Sequence, residues 1–278
     1  MTVVLFAGPS LSGWEQPLPS AFDRRPPARH GDVFRAAQSL PAAIALADGL
    51  FEGVPAVWHK EILWALSLGV PVYGAASMGA LRAAELDTYG MVGVGRIYQD
   101  YRSGRLDADD EVALLHGPEE IGYLPLTEPL VNVRATGHAA QQAGILSPRA
   151  ARAVMRSAAR LFYKVRTWPS ILEGVAATEV PKEHLERFRA WLPDGRVDQK
   201  RADALAMVAL VVEHCRTNGL PCVNHDFEPT FLWDRAVAGW NEEFRPTGLP
   251  GRRVWRGPET LASLFDDAVL NSRPSRDR

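Results

Sequence analysis

Residues 70–86, VPVYGAASMGALRAAEL, admit few conformations. The apolar, partly β-branched run at 70–73 reads as a buried strand. Gly74, Ala75, Ala76 and Ser77 follow as a turn in which no side chain is larger than a hydroxymethyl group. From Met78 onward Ala, Leu, Arg and Glu are good helix formers. Strand, tight turn and helix in that order put Ser77 at the junction. Its hydroxyl there either caps the free N–H groups of the helix or stands exposed as the serine of a nucleophile elbow. The elbow motif is Gly-x-Ser-x-Gly. Here Ala75 stands where the first glycine falls and Gly79 supplies the last. On the sequence both readings of Ser77 stand.

The surrounding elements alternate. A strand over 3–7 is broken at Gly8, and a Pro- and Arg-rich loop follows. Asp32 is placed to cap a short helix through Ala37. A second strand over 42–47 ends at Asp48-Gly49, and Pro55 opens a helix whose apolar face carries Trp58, Ile62, Leu63 and Leu66. This alternation predicts an α/β fold, a parallel sheet with flanking helices in the N-terminal part. Right-handed crossovers bring the C-terminal ends of the strands to one edge, where such sheets bind ligands. Beyond Leu86 the pattern predicts a loop over 89–95, a helix over 96–101, an acidic solvated loop at 107–111, a strand over 112–116 and an extended or helix-leading segment over 128–136. From Pro148 an apolar stripe through Leu161, Phe162 and Val165 predicts one helix running to Trp168-Pro169. Further helices are expected around 185–192, from an Asp198 cap to about 215, over 229–240 and over 258–270. The expected organisation is an α/β core domain at 1–145, an all-helical region at 146–270 and a disordered tail at 271–278.

The totals narrow the function classes. A net charge of −2 over 278 residues gives no electrostatic case for nucleic acid or an anionic membrane surface. No apolar run approaches the roughly 20 residues of a membrane span. The apolar N-terminus has no positively charged region before it, and the only cysteines, Cys215 and Cys222, have neither zinc-site nor disulfide-framework spacing. These features fit a cytoplasmic protein, and a homo-oligomer is compatible with them. There is no Gly-x-x-x-x-Gly-Lys loop and no His-x-x-x-His pair, so neither a nucleotide cofactor nor a metal is expected.

At the predicted sheet edge several groups could meet Ser77. The backbone around Gly8 and Ser10 could offer N–H groups to an anion. Asp48 ends the second strand. His59 and Lys60 lie early in the next helix, and either could act as the base that a serine nucleophile needs. Each has a plainer role: a histidine beside Trp58 is often simply packed, and a Lys60–Glu61 pair is often simply solvated. Arg82 and Glu85, three apart on the helix after Ser77, could pair with each other, or Arg82 could hold a carboxylate-like substrate.

The segments DGLFE at 48–52, PAVWHKEIL at 55–63 and GAASMGALRAAE at 74–85 together resemble the TfuA-like proteins. DEVA at 110–113, HGP at 116–118, VNVRAT at 131–136 and, more loosely, VDQKRAD at 197–203 continue the resemblance. It implies a partner of YcaO enzymes in peptide backbone thioamidation, with the YcaO protein using ATP and acting on the precursor peptide. The TfuA-like member would promote sulfide release from a thiocarboxylated ThiS-type sulfur carrier. Set against that chemistry, Ser77 is the candidate nucleophile, Lys60 or His59 the base, and Asp48 or Glu85 the group that orients it. Gly8, Ser10 and Arg82 would be anion-binding groups. A non-catalytic scaffold that docks the carrier and the YcaO protein together is the competing reading. In a third, the YcaO enzyme it partners makes azolines, and sulfur delivery is not this protein's role.

Overall fold

A computed structural model describes residues 2–177, 180–221 and 226–243. Among the described residues one parallel sheet holds five strands, β1 (Val3–Phe6), β2 (Phe22–Arg25), β3 (Ala43–Leu46), β4 (Val72–Gly74) and β5 (Val92–Gly93). Their order is β2-β1-β3-β4-β5. Helices α1 (Asp32–Ala37), α2 (His59–Ser67), α3 (Met78–Leu86) and α4 (Gly95–Arg102) alternate with the strands. Then come α5 (Leu130–Gln142), α6 (Pro148–Ala159), α7 (Trp168–Ala176), α8 (Lys182–Gly195) and α9 (Gln199–Thr217). The α/β architecture and the helical C-terminal part are those expected from the alternation. Among the described residues no helix is long and apolar enough to cross a membrane.

The central strands β1 and β3 are buried on both faces, as a parallel sheet between two helical layers requires. Val3, Leu5, Ala43, Ala45 and Tyr73 form one core with Met207, Ala204 and Val211 of α9. A helix more than 120 residues along the chain from β4 thus covers one face of the sheet. A second core lies among α5 to α8, around Val133, Val154, Ile171 and Phe188. Asp203 of α9 further ties the two parts together. Its carboxylate accepts the Ile97 N–H at 2.7 Å at the start of α4, and Gly95 there has φ +90 and no room for a Cβ against that carboxylate.

Several local expectations change. β2, within the stretch read as loop, is an edge strand with the half-exposed sequence FDRR, which carries no apolar alternation. β5, also in an expected loop, is only two residues long. Gly31, with φ 87, is the N-cap of α1, and Asp32 is its first residue. α2 begins at His59 rather than at Pro55, because Glu61 reaches back to the Trp58 N–H at 2.8 Å and fixes the start there. Residues 112–116 form no strand. They follow a 3-10 turn at Asp109–Glu111, and His116 makes only an isolated bridge to Pro125. α6 stops at Ala159, so Phe162 and Val165 lie beyond it and are exposed. Asp198 does cap α9, accepting the Arg201 N–H at 3.0 Å. In a separate compact unit that begins at Asp226, α10 (Phe231–Glu243) buries Trp233 against Phe227 and Trp240. The expected helix over 258–270, the tail at 271–278 and Cys222 lie outside the described residues.

Candidate functional site at the switch point of the sheet

In the strand order β2-β1-β3-β4-β5 the chain reverses direction across the sheet between β1 and β3. Ligands of doubly wound sheets bind in the crevice at that point, outside the carboxyl ends of the strands. Gly8 and Ser10 follow β1, and Asp48 follows β3. A cleft of about 290 Å³ opens there, lined by Asp48, Ser77, Val112, His116 and Lys200 among others.

Asp48 is 2 % exposed, and its carboxylate is fully engaged. Oδ2 accepts the N–H groups of Gly8 and Ser10, each at 2.9 Å, and Oδ1 accepts the Ser10 hydroxyl at 2.7 Å. The N–H groups after β1, expected to face a bound anion, therefore hold a carboxylate of the protein itself. Lys200 lies behind this clasp, with Nζ 3.8 Å from Asp48 Oδ1 and donating to the Val112 carbonyl at 2.9 Å. It is 3 % exposed, and burial pushes its ammonium below the usual lysine range against the opposing pull of Asp48.

Ser77 sits at the turn between β4 and α3, as its sequence context predicts. The Ser77 N–H donates to the Ala75 carbonyl at 2.7 Å across Ala76, whose φ of 65 is a left-handed value that strains a non-glycine residue. Ser77 makes no side-chain cap bond to α3 and lines the cleft. Two glycines let the turn pack this closely. A Cβ on Gly79 would lie 1.7 Å from the Leu46 carbonyl oxygen, and one on Gly74 would lie 2.1 Å from the Gly79 carbonyl oxygen. Ala75 at the remaining motif position is fully buried and tolerated. Of the first N–H groups of α3, those of Gly79 and Ala80 bond to the carbonyls of Ala47 and Ala75. Met78, next in the chain after Ser77, is the first residue of α3, so the positive end of that helix begins directly after the serine.

The other sequence-derived candidates lie elsewhere. His59, Arg82 and Glu85 form a cluster between α2 and α3 that does not line the cleft. His59 Nε2 is 2.8 Å and Arg82 Nη1 2.7 Å from Glu85 Oε2, and Arg82 Nε donates to the Val57 carbonyl at 2.9 Å. Burial raises the Glu85 carboxyl, but the bonds from His59 and Arg82 outweigh it and hold the group below the usual range. Lys60 is half-buried on the same helix and likewise does not line the cleft. The structure thus brings together Ser77, Asp48, Gly8 and Ser10, and separates them from His59, Lys60, Arg82 and Glu85.

Lys200 is the cleft residue that residue-by-residue reading misses. Its sequence signal is the Asp198 cap two residues earlier, which places Lys200 in the first turn of α9. Its distance along the chain from Ser77 hides the rest. Of the acidic residues at 107–111, Asp110 bonds to the fully buried Arg166 at 3.0 Å and Glu111 makes a two-pronged pair with Arg134 at 2.6 and 2.9 Å. Both pairs brace the segment that carries Val112 into the cleft.

Fold and site together define a doubly wound α/β protein with a buried lysine–aspartate pair and a serine at a strand–helix turn in one switch-point cleft. Residues 48–167 match the family model described as TfuA-like protein, so the chain carries a TfuA-like domain over that span. The span begins at Asp48 and includes Ser77, while Gly8, Ser10 and Lys200 lie outside it. No curated protein matches the chain.

Proposed function

We propose that the protein serves a YcaO enzyme in backbone thioamidation by hydrolysing the thiocarboxylate of a ThiS-type sulfur carrier. The observation that carries this reading is the placement of Ser77, on its strained turn, in the same cleft as the buried Lys200–Asp48 pair. The Ser77 hydroxyl attacks the thioacid carbon, giving an acyl ester and hydrosulfide. Water then cleaves the ester to the carrier carboxylate and restores the hydroxyl. Lys200, with its ammonium depressed by burial, is suited to take the serine proton in the first step. Asp48 holds that amine in place and sets the loop after β1. The positive end of α3, which begins directly after Ser77, favours the developing oxyanion.

Mass spectrometry of the protein quenched during turnover tests this. The reading predicts the mass of the carrier acyl group on the peptide containing Ser77. Sulfide released with no acylated Ser77, and released only when the YcaO protein is added, would favour the scaffold or activator reading instead.

A further inference from the structure

Six large apolar side chains stand exposed on stretches of chain that also reach the cleft: Leu115, Ile121, Leu124, Leu126, Phe162 and Val165, between 40 % and 59 % open to solvent. They come from two short segments, 115–126 and 162–165, and both segments also line the cleft, through Leu115 and His116 and through Tyr163 and Lys164. The segments are joined next to the rim, where the Glu128 N–H donates to the Arg166 carbonyl at 2.7 Å. The exposure is built in. Residues 115–126 are pinned by Gly117 N–H to Leu124 at 2.9 Å, Leu126 N–H to Leu115 at 2.8 Å and Leu115 N–H to the Thr127 hydroxyl at 2.8 Å. Residues 163–165 are held by Arg166, whose guanidinium is fully buried on the carbonyls of Ala158, Leu161 and Asp110. Rigid loops that hold a cluster of leucines and a phenylalanine outward mark an interaction surface.

The cleft decides what sits on that surface. At about 290 Å³ it falls just below the range for ligand pockets, about 300–1,000 Å³. Its reactive groups, Ser77, Asp48 and Lys200, are 2–3 % exposed. A folded protein cannot enter, whereas an extended chain end of small residues can. We propose that the apolar rim docks the folded body of a protein that threads its C-terminal thiocarboxylate tail into the cleft. The identity of that tail rests on the function proposed above. Glu52 and Lys164, paired across the mouth with Tyr163 also bonded to Glu52, form an exposed strap that the tail displaces at little cost.

The test is a double variant, Leu124→Asp with Leu126→Asp, with Leu40→Asp as an exposed control away from the rim. Sulfide release is measured from a ThiS-type carrier bearing a C-terminal thiocarboxylate and from thioacetate, and binding of the unmodified carrier is measured in parallel. The expected result is a loss of about ten-fold or more in carrier affinity and in kcat/KM for the carrier. Turnover of thioacetate and the melting temperature should be unchanged, and the control should behave as wild type. Carrier binding and turnover at wild-type levels in the double variant would overturn the docking proposal. If wild type releases sulfide from neither substrate, the hydrolase reading fails, and carrier binding by wild type and double variant still decides the docking surface.

Discussion

Replacing Lys200 with methionine removes a buried ammonium while keeping the length and most of the volume of the side chain. The Val112 carbonyl loses a charged hydrogen bond of 2.9 Å, a loss of about 1.5–3 kcal/mol. Asp48 loses a cation 3.8 Å away but keeps three hydrogen bonds, so its carboxylate is not stranded. Opposing these losses, the variant no longer desolvates an ammonium, which costs on the order of several kcal/mol. The terms nearly offset, and Lys200→Met should fold with a stability within about 2 kcal/mol of wild type near pH 7. Sulfide release should fall by about 10²–10⁴ with the base removed. The pH dependence carries the sign of the depressed ammonium. Between the folded value and the usual lysine value near 10.4, the unfolded chain holds a proton that the folded chain lacks, so stability from this group rises with pH. The wild-type stability minus that of the variant should therefore climb as pH rises toward about 10. Urea unfolding at a series of pH values, alongside release assays, reads both effects. A variant that releases sulfide at the wild-type rate would refute the base role, and a stability difference flat across pH would refute the depressed ammonium.

Gly79→Ala should fail to give soluble folded protein, because the added Cβ meets the Leu46 carbonyl at 1.7 Å and both partners are backbone; far-UV circular dichroism and gel filtration check this. Glu61, buried under α1 and pushed up to about 7 by that burial, holds a proton in the folded state that the unfolded chain loses above about 4.5. Its contribution is complete below about pH 4.5 and declines as pH rises to about 7, so Glu61→Gln should remove a falling slope of roughly 3 kcal/mol between those values. Chemical denaturation at pH 4.5, 6 and 7.5 measures it, and an unchanged slope would contradict the assignment.

The central strands were legible because each is a short apolar run bounded by turn residues, and α3 because its composition and the small-residue turn before it agree. The edge strands were not. β2 carries Asp23, Arg24 and Arg25, and its pairing with β1 comes from the sheet rather than from its own pattern. The stripe that continued α6 to Val165 misled because Phe162 and Val165 are apolar without being buried, a feature that makes sense at an interaction surface. At the site, Ser77 and Asp48 could be read from their places at strand ends. Arg82 and Glu85 sit a turn or more along α3, and His59 and Lys60 open α2, and none of the four lines the cleft. Lys200 enters through the packing of α9 on the sheet, a long-range contact that no local pattern encodes.

The most direct test of the account is the time course of sulfide release from a thiocarboxylated ThiS-type carrier by the purified protein alone, comparing wild type with Ser77→Ala. The account predicts release by wild type without the YcaO protein and a loss of about 10²-fold or more in the variant, with carrier affinity unchanged. Equal release by the two proteins, or none by wild type, would contradict it.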